Sequence, residues 1–292
     1  MRWGDMRPSD NVEDRRGSGG GFPRGGGMRL GGGALVVVVI VSLLFGVNPM
    51  QFLGMMEGAG PAVAPPQPST PARTAAAPAA KDPEGEFVGR TLGNTEDVWT
   101  ALLEGMGTRY EPPRLVLFAG ATPSACGQAN AAAGPFYCPA DRKVYLDTAF
   151  FQELSRKFGA PGDFAAAYVI AHEIGHHVQN QLGTMRKFDQ AAARMDTRER
   201  NALSVRLELQ ADCYAGVWGF YAAKRNLLDP GDVEEGLRAA AAVGDDTIQQ
   251  RARGHVVPDA FTHGSADQRA RWFRTGLASG DPRKCNTFAG NP

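Results

Sequence analysis

The sequence predicts one α+β domain, mostly helical with a few short strands, behind a low-complexity N-terminal region. Three observations carry this. Long helical stretches run from Phe164 to about Leu182 and from about Thr197 to Asn226. Two short apolar runs, residues 114–119 and 143–147, have the length and composition of strands. The first eighty of the 292 residues hold 15 of the 37 glycines and 9 of the 20 prolines, more than their share, which leaves the remainder better able to bury an apolar core. The net charge is zero, so nothing points to nucleic acid as a partner.

Residues 1–29 are rich in Gly and Arg without apolar periodicity and read as a disordered, mildly basic tail. Residues 30–47 form an uncharged run of eighteen, near the length of about 20 that a membrane-spanning helix needs. The run is too long for a core strand, and no small-x-small site follows it for signal cleavage. It is therefore expected to be an uncleaved single span. The arginines ahead of it place the N-terminus in the cytoplasm and the rest of the chain outside an inner or plasma membrane. Residues 48–86 are Pro/Ala-rich and read as an extended linker.

The folded domain is expected over residues 87–292, about 205 residues. Thr95 can cap a helix carrying Val98, Leu102 and Leu103, ended by Pro112-Pro113. A strand over 114–119, a loop from Cys126 to Cys138 and a second strand over 143–147 follow. Asp163 can cap the next helix and Gly183 close it. After the long helix ending near Asn226, another is expected from Asp232 to about Arg251. Ser265 can cap a last one that stops at Gly280.

The central helix carries His172-Glu173-Ile174-Gly175-His176. Histidine is scarce, five in the chain, and three fall within residues 172–177. Two histidines four apart share one helix face and can hold one Zn²⁺, with Glu173 placed as general base. A catalytic zinc site needs a third protein ligand and an open position. Glu208 and Asp212, four apart on the next long helix, share a face among apolar neighbours. Glu208 is assigned as ligand and Asp212 as the partner of a ligand histidine's far nitrogen. His177 is rotated about 100° from His176 and cannot easily join the same site. His263 can donate a hydrogen bond to a developing oxyanion or simply flank a helix. Arg269 can orient an active-site carboxylate or pair on its own helix. None of the four cysteines has Cys-x-x-Cys spacing, and in an extracytoplasmic domain they read as disulfides. Of the three pairings, Cys126–Cys138 closing a short loop and Cys213–Cys285 tying down the C-terminal tail is the expected one. Four free thiols would go with a cytoplasmic domain.

Residues 172–179 followed by Glu208-Leu209-Gln210-Ala211-Asp212 resemble the bacterial neutral zinc metallopeptidase family, and more broadly the gluzincins. Residues 134–139, Val144-Tyr145-Leu146-Asp147 and the stretch from His263-Gly264-Ser265 to Trp272-Phe273 share the likeness, which covers roughly 87–288. The resemblance implies a zincin-like fold, a membrane-anchored form, one catalytic zinc ion and a peptide or protein substrate. Val144 to Asp147 is expected as an edge strand that pairs with that substrate. The rival readings are a non-catalytic extracytoplasmic scaffold with a structural zinc, and an amidase acting on a cell-wall peptide.

Overall fold

A computed structural model of the chain describes residues 1–17, 82–130 and 133–290. The fold is mixed α and β, with helices gathered on one face of a small sheet. Strand β1 is Val12–Asp14 and helix α1 is Pro83–Gly105. Then come β2 (Arg114–Phe118), the hairpin of β3 (Ala121–Ser124) and β4 (Gly127–Asn130), β5 (Phe136–Cys138) and β6 (Lys143–Asp147). Helices α2 (Ala149–Arg156), α3 (Asp163–Gln181), α4 (Thr184–Ala192), α5 (Thr197–Lys224), α6 (Asp232–Ala242), α7 (Asp245–Arg253) and α8 (Ala266–Ser279) complete the order.

The sheet runs β1-β2-β6-β5. β1, β2 and β6 are parallel, and β5 is antiparallel to β6. The two-residue period of a strand divides the core. Leu115 and Leu117 of β2 and Val144 and Leu146 of β6 face the helices and join the main cluster. Val116, Phe118 and Tyr145 face the other way and form a smaller cluster with Ala129 and Cys138. β6 is paired on both sides, so the edge assignment made for Val144 to Asp147 is corrected: the antiparallel edge is β5.

The N-terminal expectation is also corrected for residues 1–17. β1 pairs with β2, Val12 opposite Leu115 and Asp14 opposite Leu117. Buried Glu96 of α1 anchors this segment, accepting from Ser9 Oγ at 2.5 Å, Asn11 Nδ2 at 2.8 Å and Arg7 Nη2 at 2.9 Å. Residues 1–17 are thus part of the same folded body as the domain. Among the described residues no helix is long and apolar enough to cross a membrane, and the apolar run 30–47 lies outside them.

Other boundaries shift for local reasons. The first helix begins at Pro83, capped by the Asp82 side chain on the Gly85 N–H, and Thr95 lies inside it, bonding back to the Leu92 carbonyl at 2.7 Å. Gly162, not Asp163, precedes α3. The expected helix from Asp232 to Arg251 is two, broken at Val243-Gly244. There the Val243 carbonyl turns to Arg269 Nη1 at 3.0 Å instead of continuing the helix. Ser265 caps α8 in a capping box with Gln268, and left-handed Gly280 ends it, as the sequence predicts. α8 lies close along α5, and a Cβ on Gly276 would run into the Cys213 carbonyl. The expected disulfides, Cys126–Cys138 and Cys213–Cys285, are both present.

Candidate metal centre

The motif helix α3 is a core helix. Every residue from Phe164 to Gln179 is buried, which is why its sequence is apolar all round apart from the histidines, Glu173 and Gln179. α5 crosses it closely at Gly175, where a Cβ would lie 2.9 Å from the Ala211 carbonyl oxygen. An Asp196/Glu199 capping box starts α5, and the helix is buried from Leu207 through Gly219. Glu208 and Asp212, one turn apart, are thereby brought against the histidine face of α3.

The geometry is that of a metal cradle. His172 Nε2 lies 3.2 Å from Glu208 Oε2, and His176 Nε2 lies 3.4 Å from Glu208 Oε1. Tetrahedral zinc with bonds of about 2.0–2.1 Å would set its ligand atoms about 3.3 Å apart. These three residues gather ligand atoms within 4.8 Å of one another.

The charges fit a divalent ion as well. Glu173, Glu208 and Asp212 are all buried, against the single buried guanidinium of Arg269. Ionised, they leave two uncompensated negative charges in a low-dielectric core, which is costly unless a cation balances them. The surplus shows in the titration of the site. Burial alone would push His172 down, but Asp212 and Glu208 raise it. Burial pushes the Glu173 carboxyl above its ordinary value, with both histidines opposing.

The far nitrogens of the histidines are held differently. His172 Nδ1 donates to Asp212 Oδ1 at 2.9 Å. Asp212, fully buried, also accepts from Tyr168 Oη at 2.5 Å, Arg269 Nε at 2.8 Å and Arg269 Nη2 at 3.0 Å. Arg269 therefore orients a site carboxylate rather than pairing along its own helix. His176 Nδ1 donates to Gln179 Oε1 at 2.9 Å. Both contacts leave the Nε2 lone pairs turned toward Glu208.

His263 is buried on the same side. Its Nδ1 lies 3.1 Å from Asp245 Oδ1. Asp245 Oδ2 accepts from the backbone N–H groups of Thr262 (2.7 Å), His263 (2.7 Å) and Gly264 (3.0 Å). Burial would raise the Asp245 carboxyl, but His263 and these N–H groups outweigh it and hold it below the ordinary value. Asp245 thus fixes the His263 ring through Nδ1, near enough to Glu208 for His263 to help lower that carboxyl. His177 stands apart, as its 100° rotation requires. Its Nε2–H donates to the Glu111 carbonyl at 2.7 Å, and its Nδ1 accepts from Tyr137 Oη at 3.1 Å, tying α3 to β5. Burial pushes it down to about 4, so it stays neutral.

Sequence reasoning missed Asp245, Tyr168, Gln179 and Gln210. Tyr168 and Gln179 had a readable signal, since they lie four residues before His172 and three after His176 on one helix. Asp245 has none, because its role depends on a turn eighteen residues away.

A family model described as "Putative neutral zinc metallopeptidase" matches residues 1–288. Uncharacterized protein YpfJ of Escherichia coli K12 is 48% identical over 291 residues, 99% of each chain. Uncharacterized protein Rv2575 of Mycobacterium tuberculosis H37Rv is 46% identical over 209 residues, 68% of each chain. No solved structure matches the chain.

Proposed function

Because the chain belongs to the putative neutral zinc metallopeptidase family, we propose that it is a zinc-dependent peptidase that hydrolyses peptide bonds with Glu173 as general base. The observation that carries this reading is the spacing of His172 Nε2, His176 Nε2 and Glu208, with buried Glu173 close enough to all three to feel their charges. Among the described residues three protein ligands converge, which supports a catalytic centre over a closed structural one.

His172, His176 and Glu208 would hold the ion. Zinc bound there supplies a Lewis acid that lowers the pKa of a water and polarises a carbonyl. Glu173 accepts the proton of the attacking water and returns it to the leaving amine. His263, oriented by Asp245, donates a hydrogen bond to the oxyanion that develops on the carbonyl. β5 ends the sheet and is fixed to α3 by Asn180 Nδ2, which donates to Tyr137 Oη at 2.8 Å; an extended peptide paired beside it is the substrate mode this reading favours. The two disulfides favour an oxidising, extracytoplasmic compartment for the domain.

The test is cleavage of an unstructured protein by the purified chain, with and without a chelator, beside the Glu173→Gln variant. We expect the variant to keep its zinc and lose turnover. Hydrolysis retained in Glu173→Gln would remove that residue from the base role. Zinc binding without chelator-sensitive cleavage in the wild type would favour a scaffold.

A further inference from the structure

We infer that Gln179 and Gln210 are positioning residues for His176, and that the Cys213–Cys285 disulfide holds their relay in register, so that metal affinity depends on that bond. The inference rests on the zinc site proposed above. The relay is continuous. The Cys285 carbonyl accepts from Gln210 Nε2 at 2.9 Å. Gln210 Oε1 accepts from Gln179 Nε2 at 3.1 Å. Gln179 Oε1 accepts from His176 Nδ1–H at 2.9 Å. Gln179 is fully buried and Gln210 nearly so.

The direction of the relay is what matters. An amide can present either its oxygen or its NH₂ to a neighbour. Were Gln179 reversed, its NH₂ would face His176, whose Nδ1 would have to accept. The ring proton would then sit on Nε2, which could no longer ligate a metal. Two acceptors prevent this reversal: the Leu207 carbonyl, 2.6 Å from Gln179 Nε2, and Gln210 Oε1. Gln210 is in turn fixed because the Cys285 carbonyl accepts only from its NH₂. The position of that carbonyl is set by the disulfide to Cys213, three residues after Gln210 on the same helix. The tail has a second attachment, Thr287 Oγ1 to the Arg206 carbonyl at 2.5 Å and Arg206 Nη1 to the Thr287 carbonyl at 2.8 Å. Loss of the disulfide therefore loosens the relay without releasing the tail.

The experiment measures zinc affinity of the full-length protein by competition with a chromophoric chelator. Gln210→Leu cuts the relay, Cys213→Ala with Cys285→Ala removes the bond, and a triple variant combines them. We expect Gln210→Leu and the cysteine pair each to weaken zinc binding about tenfold, the lower end for outer-shell partners. The triple variant should be no weaker than Gln210→Leu, because both changes act through one chain. Cys126→Ala with Cys138→Ala should leave affinity unchanged. A cysteine pair that lowers the melting temperature at constant zinc affinity overturns the inference, as do additive losses in the triple variant. A wild type that binds no zinc fails the site reading itself, and this inference with it.

Discussion

Gly175→Ala sets two opposing effects against each other, and their magnitudes decide the sign. Alanine is favoured over glycine in a helix interior by about 1 kcal/mol. Here the added Cβ would lie 2.9 Å from the Ala211 carbonyl oxygen and 3.1 Å from its Cα. Both are backbone atoms, so α3 and α5 must part by a few tenths of an ångström, and overpacking of this kind costs about 1–3 kcal/mol. The net change is a loss of up to about 2 kcal/mol, or up to about 8 °C in melting temperature for a domain of this size. Ala211 lies between Glu208 and Asp212, so the same separation draws both away from the histidines. Zinc affinity should fall along with stability. Thermal unfolding of the chelator-treated protein reads the first effect, and chelator competition reads the second. A variant that melts higher and binds zinc as tightly as wild type would show that helix propensity governs this position, and would refute the close-approach argument.

Other outcomes follow from the same geometry. Glu208→Ala should lower the zinc content of the purified protein, and full occupancy would point to a different third ligand. Asp245→Asn should keep zinc but lower kcat about tenfold or more, read by steady-state hydrolysis, because His263 loses its orientation. Asp245 also predicts an acid-dependent loss. Its folded pKa is depressed, so its stabilisation is intact above its unfolded pKa of about 3.9 and is lost as pH falls through the folded value. The wild type should thus lose more stability below pH ~4 than Asp245→Asn does, as followed by unfolding at a series of pH values. Finally, exposed cysteines placed by Asp10→Cys and Ala278→Cys should react alike with a membrane-impermeant maleimide in intact cells, since β1 and α8 belong to one body. Protection of one alone would mean that the β1–β2 pairing is not the cellular state.

What the sequence made legible was whatever is encoded locally. The histidines of α3 and the carboxylates of α5 each declare themselves through a four-residue spacing, and Ser265 through its capping box with Gln268. Gly280 is legible as a helix stop for the same reason. The strand Val12–Asp14 was not, because three residues in a charged setting carry no alternation. Its stability comes from Glu96, more than eighty residues away, and from pairing with β2. β5 was hidden for a related reason: its three residues end the stretch from Cys126 to Cys138 that reads as a loop, and only pairing with β6 makes them a strand. The break at Val243 likewise depends on Arg269, a tertiary partner that no local pattern contains.

The unequal treatment of the two histidines follows from charge. With zinc bound, Glu173, Glu208 and Asp212 are balanced by the ion together with Arg269. A second carboxylate behind His176 would add a buried negative charge with no partner, so the neutral amide of Gln179 is the choice that keeps the core balanced. That choice has a consequence which a carboxylate would not. Ionised Asp212 can only accept, so it sets the His172 proton on Nδ1 whatever surrounds it. Gln179 can accept or donate, and by itself leaves the His176 tautomer undetermined. The acceptors around it, Leu207, Gln210 and the Cys285 carbonyl, supply the missing direction. The longer hydrogen-bonded relay on the His176 side is thus what a neutral partner behind that ring requires, and it is how a disulfide in the C-terminal tail can bear on His176 two side chains away.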